Sequence, residues 1–294
     1  MFKGIFIALI TPFKAGKIDF DALSVLIERQ LAAGVSGFCL LGTTAEPPAL
    51  TNDEKKIILS FCINKIKGRA KIIIGVGANS TTHTLENIRL AAEYNPDAYL
   101  VVTPYYNKPN LNGMVDHFSI VAKAAQKPLV LYHIPSRTGQ RLSIEFLGKL
   151  LKNVPQIKAI KEADYDIARV VKASTLFGNE VTFLGGNDDL WPALMGLNFP
   201  GLISAAGNIL APAFVKMQKL FSEGKTQESM QVFKQAYPLI EALFFEVNPT
   251  CVKYALSCQG LCEEEVRLPL GLIQEETKQK IKQILANTPK ELFI

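Results

Sequence analysis

QIKAIKEADYD, residues 156–166, decides how this chain is read. Ile157, Ala159 and Ile160 make a short apolar run, the mark of a β-strand. Lys161 stands at its end, where the strand would leave the core. An ammonium there must pair, lose its proton or be used, because burying it alone is costly. Outward from this stretch, runs of the same kind recur along the chain. They are GIFIALIT from Gly4, GFCLLG from Gly37, KIIIGVG from Lys71, AYLVVTP from Ala98, PLVLYHI from Pro128, IKAIKEA from Ile157, VTFLGG from Val181 and GLISAA from Gly201. Most are continuous and rich in Val, Ile and Leu, as parallel strands covered on both faces are.

Amphipathic segments lie between them. FDALSVLIERQLAAG sets Leu23, Leu26, Ile27 and Leu31 at helical spacing and stops at Gly34. TNDEKKIILSFCINKIKG opens on Thr51 with Glu54 three residues on, a capping box. STTHTLENIRLAAEY and LNGMVDHFSIVAKAA follow the same logic. SIEFLGKLL is short, and DIARVVKAS and DDLWPALMGL are weaker through length or Pro192. Eight strand–helix units in about 225 residues predict an α/β chain folded as a (β/α)₈ TIM barrel, which typically takes ~250. A doubly wound sheet is the second reading, but GVGANS lacks the third glycine of a dinucleotide loop. Four more helical segments begin with APAFVKMQKLFSEG. The predicted division is a barrel over 1–224 and a C-terminal helical extension over 225–294.

Bulk properties exclude several function classes. The chain has 294 residues, 48% hydrophobic and 20% charged, with a formal net charge of +5. Its basic residues are scattered, which argues against a nucleic-acid partner. The lysines of ETKQKIKQIL read as a solvated helix face. Five cysteines, an odd number without a C-x-x-C, predict reduced structural thiols and a cytoplasmic protein. Three histidines, His83, His117 and His133, lack zinc-ligand spacing, so no metal is expected. MFKGIFIALITPF has a short apolar core running into Thr11-Pro12, with no signal-peptide cleavage site. FPGLISAAGNILAPAFV is broken by Gly, Asn and Pro, so no membrane span is expected.

In a barrel, chemistry collects where strands end. GTTAE follows the second strand with Gly42, Thr43 and Thr44. TPYYNKP follows the fourth with Tyr105 and Tyr106, and YHIPSRTG ends the fifth with Tyr132 and Arg137. Lys161 ends the sixth, Gly185 and Gly186 the seventh, and Ser204 the eighth. Taken singly, each has an ordinary explanation. A strand-end lysine snorkels, threonines beside glycine make turns, tyrosines pack with a wet hydroxyl, an arginine forms a surface ion pair, and His133 satisfies a local hydrogen bond. Together they complement one another. An amine in a low-dielectric barrel becomes nucleophilic and condenses with a ketone. The protonated imine is an electron sink, so the neighbouring carbon loses a proton to give an enamine. Thr43 and Thr44 would hold the carboxylate of a 2-oxo acid. Tyr132 would shuttle protons with a second phenol and a hydroxyl, and Arg137 would clamp another carboxylate. A pyridoxal-phosphate barrel also uses a lysine imine, but no convincing phosphate loop is present. A non-catalytic barrel that binds small acids is the remaining alternative.

GTTAE, TPYYNKP, YHIPSRTG, AIKEADYD and RLPLG, in this order, resemble the dihydrodipicolinate synthase/N-acetylneuraminate lyase family, across essentially the whole chain. YYNKP and Arg137 favour the members that join pyruvate to L-aspartate-4-semialdehyde on the route to diaminopimelate and lysine. The runner-up is another aldolase or dehydratase of the family acting on a sugar acid or hydroxy-oxo acid. The resemblance implies a Schiff base on Lys161, with the pyruvate carboxylate on Thr43 and Thr44. It implies a proton relay through Thr44, Tyr132 and Tyr106, the semialdehyde carboxylate on Arg137, and the backbone carbonyl of Ile203 facing the site. No cofactor is implied. Tyr106 would reach into a neighbouring subunit, so a homodimer is the minimal unit and a homotetramer is the expected assembly.

Departures from the family pattern are Ala45 for a usual Gly, which would be strained at a positive φ, and His133 for a usual Asn. Pro47 and Pro48 stiffen the same loop as Ala45. Asn79 and Tyr105 match the lysine-binding regulatory site of sensitive relatives. Asn52, Lys55 and His83 stand where those relatives tend to have His, His and Glu. An ammonium at Lys55 and the missing carboxylate at residue 83 predict weak or absent feedback by lysine.

Overall fold

All eight apolar runs become strands of one closed parallel barrel in the computed structural model, which describes residues 2–294. The strands are β1 Gly4–Ala8, β2 Gly37–Leu40, β3 Lys71–Gly75, β4 Ala98–Val102, β5 Leu129–His133, β6 Ile157–Glu162, β7 Thr182–Gly185 and β8 Gly201–Ser204. Their order around the barrel is their order in sequence, with β8 beside β1. The closure rules out the doubly wound alternative. β2 and β5 are buried at every position, the burial that continuous apolar runs foretell.

Among the described residues, twelve helices alternate with and follow the strands in sequence. They are α1 Phe20–Ala32, α2 Asn52–Ile66, α3 Thr81–Ala92, α4 Leu111–Ala125, the single turn α5 Pro135–Thr138, α6 Ile144–Asn153, α7 Ile167–Phe177, α8 Trp191–Gly196, α9 Gly207–Ser222, α10 Thr226–Ala242, α11 Thr250–Cys258 and α12 Glu275–Asn287. Polar caps start most of the barrel helices, because the first-turn N–H groups have no partner inside the helix. Asp19, Ser80, Asn110, Ser143 and Asp166 each accept one such N–H. Thr51 and Glu54 form the predicted capping box. Pro192 falls in the first turn of α8, where a missing N–H costs nothing. Among the described residues, no helix is long and apolar enough to cross a membrane.

Two compact units make up the chain: residues 71–203 with 2–3, and residues 4–70 with 204–294. In the first, the ladder sets Val102 beside Tyr132, Tyr132 beside Lys161, and His133 beside Glu162. In the second, β1 pairs with β2 through Phe6 and Gly37, and α9 packs on β1.

Within the second unit α9 begins at Gly207, upstream of the segment read as helical, and carries Pro212 inside it. Proline has no N–H to give the carbonyl four residues back. That carbonyl belongs to Asn208, and the buried Gln30 supplies the missing donor from α1 at 2.9 Å. Asn208 in turn donates to the Ala8 carbonyl at 2.7 Å and accepts from the Ile10 N–H at 3.1 Å, continuing β1 by side-chain contact. A short ribbon, Phe13–Lys14 against Lys17–Ile18, follows β1 and is absent from the sequence reading. Its two-residue turn, Ala15-Gly16, has both φ angles positive (51° and 77°), as the tight hairpin turn requires.

Candidate functional site

Lys161 and Tyr132 are register partners at the ends of β6 and β5, 7% and 6% exposed. The Lys161 Nζ lies 4.4 Å from the centre of the Tyr132 ring. Among the described residues it has no carboxylate or hydrogen-bond partner. The ring face offers an ammonium modest attraction but leaves its donors unspent. This geometry keeps an amine available for covalent chemistry.

The next register pair is fully committed. His133 and Glu162 are 1% and 2% exposed. The Leu142 N–H donates to His133 Nε2 at 3.1 Å. The ring proton therefore sits on Nδ1, which donates to Glu162 Oε1 at 2.7 Å. The same oxygen accepts the Asp164 N–H, and Oε2 accepts Arg169 Nη1 at 2.9 Å. Arg169 Nε donates to the Leu142 carbonyl. Asp164 receives both Arg141 Nε and Nη2, at 2.8 and 2.9 Å. Burial pushes the Asp164 carboxyl up, yet the Arg141 bonds and the Asp166 N–H outweigh it and hold it below its ordinary value. His133, Glu162 and Asp164 bring ligand-type atoms within 4.8 Å of one another. Their hydrogen bonds already occupy the atoms an ion would take, so the cluster reads as a brace under the two strand ends. The local hydrogen bond expected of His133 is present, and it extends into this network.

Other predicted residues of this unit lie on loops and termini. Arg137 is exposed on α5, and Ile203 is buried in β8. Tyr105 and Tyr106 are 37% and 88% exposed in the β4–α4 loop, and Tyr106 has φ 73°. A bulky side chain rarely takes that region. Asn107 ties the loop to Asn79 by donating to its carbonyl at 2.8 Å. His83 is exposed in the first turn of α3.

The second unit carries the GTTAE loop. Thr43 and Thr44 open a 3₁₀ turn, Thr43–Ala45, directly after β2, and Thr44 is 3% exposed. Ala45 carries none of the strain a positive φ would bring: the positive φ angles of this stretch fall on Leu41 (52°) and Glu46 (57°). Ala45 continues the turn, and Thr11 Oγ1 donates to its carbonyl at 2.9 Å. Asn248 Nδ2 donates to Thr44 Oγ1 at 2.9 Å. Asn52 is exposed and Lys55 half-buried at the start of α2, and burial pushes the Lys55 ammonium down.

Glu46 anchors the loop. Its carboxylate accepts Lys253 Nζ at 2.5 Å and the Arg267 N–H at 3.0 Å. Lys253 is fully buried, also donates to the Glu265 carbonyl, and lies 4.1 Å from the Phe13 ring centre. Burial pushes its ammonium down, against the pull of Glu46. The Arg267 guanidinium forks onto Glu54 at 2.8 and 2.6 Å and reaches the Ala49 carbonyl. Sequence reading missed this anchor. Glu46 and Arg267 lie in the pieces GTTAE and RLPLG without a role assigned, and the remaining signal was a lysine inside the apolar run CVKYAL.

Hydrogen bonds from Arg267 hold Glu54 at about 2, below an ordinary 4.5. A carboxyl depressed on folding stabilises the protein above its unfolded value, and the contribution fades as pH falls from about 4.5 to about 2. Glu54→Gln keeps the capping box but loses the ion pair. Its urea midpoint should therefore fall less between about pH 5 and about pH 2 than the parent's. Identical acid profiles would reject the assignment.

Comparisons with known proteins agree with this architecture. A model described as the dihydrodipicolinate synthetase family matches residues 1–288. The 4-hydroxy-tetrahydrodipicolinate synthase of Methanocaldococcus jannaschii is 37% identical over 285 residues, covering 97% of this chain and 98% of that protein. The protein of the same name from a Sulfurihydrogenibium species (strain YO3AOP1) is 38% identical over 286 residues, covering 97% and 98%. A solved structure of the 4-hydroxy-tetrahydrodipicolinate synthase from Methylacidiphilum fumariolicum SolV superposes with a TM-score of 0.95 at 34% identity, over 99% of this chain and 97% of that one.

Proposed function

This chain belongs to the dihydrodipicolinate synthetase family, and from that premise we propose that it condenses pyruvate with L-aspartate-4-semialdehyde to 4-hydroxy-tetrahydrodipicolinate. The observation that carries the proposal is Lys161, a buried amine at a barrel strand end with no carboxylate partner and a phenol ring beside it. Parallel strands in a closed barrel end at one rim, which supports a common role for the GTTAE, YHIPSRTG and AIKEADYD pieces.

The Lys161 amine adds to the keto carbon of pyruvate and expels water, leaving an imine. Loss of a methyl proton gives the enamine, whose carbon attacks the aldehyde and forms the new C–C bond. The amine of the second substrate then attacks the imine carbon, closes the ring and returns the lysine. Thr43 and Thr44 bind the pyruvate carboxylate, and the Ile203 carbonyl faces the bound acid. Thr44, Tyr132 and Tyr106 pass protons. Arg137 clamps the semialdehyde carboxylate with its two-pronged fork. These steps call for no cofactor or metal.

The high exposure of Tyr106 at a positive φ supports its insertion into a neighbouring protomer's site, in a homodimer paired further into a homotetramer. Five free thiols fit a reducing cytoplasm. A coupled assay with both substrates tests the reaction, and turnover only with sugar-derived aldehydes would overturn the choice of substrate. The same assay with lysine tests regulation. Asn79 and Tyr105 match the lysine-binding residues of sensitive relatives, while Asn52, Lys55 and His83 replace their His, His and Glu: the Lys55 ammonium repels the ligand and the carboxylate at residue 83 is lost. Sub-millimolar lysine should leave the rate unchanged, and inhibition in that range would reject this expectation.

A further inference from the structure

We infer that Asn248 is a positioning residue that sets the direction in which the Thr44 hydroxyl gives its proton. The inference rests on the relay role proposed for Thr44. Asn248 lies between α10 and α11, 204 residues along the chain from its partner. Its amide Nδ2 donates to Thr44 Oγ1 at 2.9 Å. A hydroxyl has one proton and two acceptor sites. With the amide N–H occupying one acceptor site, the hydroxyl proton cannot point at Asn248 and must be directed elsewhere. In a relay that orientation is the working part, since a hydroxyl must receive a proton on one side and release its own on the other.

The loop itself does not depend on this bond. Thr11 holds the Ala45 carbonyl, and Lys253 with the Arg267 N–H hold Glu46. Threonine is stiff about its Cα–Cβ bond, so Oγ1 is placed by the backbone and the amide decides only how the O–H turns. Asn248 is itself placed by the start of α11, where Thr250 Oγ1 donates to the Val247 carbonyl at 2.6 Å and the Lys253 N–H to the Pro249 carbonyl at 2.9 Å. Loop position and hydroxyl direction thus have separate supports.

The test compares the full-length protein with Asn248→Ala and Asn248→Asp at saturating pyruvate and saturating semialdehyde. Under that condition, weaker approach of an anion to a new carboxylate does not enter. Alanine frees the hydroxyl to rotate, and kcat should fall about tenfold. An ionised aspartate only accepts, so it draws the Thr44 proton backwards, and kcat should fall about 100-fold, within the range of a lost acid–base function. The fraction of Lys161 trapped by borohydride with pyruvate should stay within about twofold of the parent for both, because the amine and its strand are untouched. In a Thr44→Val background neither change should lower kcat further. Unchanged kcat in both variants, equal losses matched by lost trapping, or losses that persist in the Thr44→Val background would each overturn the inference. Failure of the parent itself to trap pyruvate would instead sink the Schiff-base reading, and this inference with it.

Discussion

Lys161→Ala will lower turnover by about 10³-fold or more, the scale of losing a covalent nucleophile, and will abolish borohydride trapping of pyruvate. Peptide mapping of the trapped parent will place the added carboxyethyl group on Lys161. The chain contains an internal control. Lys253 is also buried, yet its Nζ is spent on Glu46 and the Glu265 carbonyl. Burial alone would label both lysines, whereas availability labels only Lys161. The substitution should leave the fold intact, since removing an amine with no charge partner orphans no carboxylate. Full activity in Lys161→Ala, or an adduct mapped to Lys253, would end the mechanism.

The largest effect on stability is expected at Glu46. Glu46→Ala strands the fully buried Lys253 ammonium without its counter-charge. Breaking a buried pair from one side costs about 3–5 kcal/mol, so the urea midpoint should drop sharply. Replacing both partners with apolar residues of similar size, Glu46→Leu with Lys253→Met, removes both charges and should recover most of that loss. A Glu46→Ala protein within about 1 kcal/mol of the parent would show that water or a neighbouring carboxylate already screens the lysine. Because Glu46 follows Thr44 and Ala45 in one turn, the single variant should also raise the KM for pyruvate.

How much was legible in advance follows the physics of each signal. Strands were readable because burial on both faces demands unbroken apolar runs. Helices with polar caps were readable because capping is local in sequence. The first ribbon was not: Ala15 takes a left-handed φ without being glycine, so nothing marked its turn. Ala45 escapes the strain a positive φ would bring because the loop takes that conformation at Leu41 and Glu46 instead. Lys161, Tyr132 and Thr44 were legible by position, at or just after strand ends, where the structure places them. Asn248, Lys253 and Arg267 were not, since each meets its partner about 200 residues away. His133 was legible only as a residue with a local hydrogen bond, and its link to Glu162 appears only when the ladder sets the two side by side.

The make-up of the two units bears on how a newly made chain matures. Residues 71–203 are continuous apart from two residues at the start, so the nascent polypeptide holds nearly all of that unit before synthesis is over. Residues 4–70 must wait for 204–294, on the order of 10 s or more at ordinary elongation rates. During that interval the apolar face of β1 lacks α9, which leaves the early segment in need of chaperone cover.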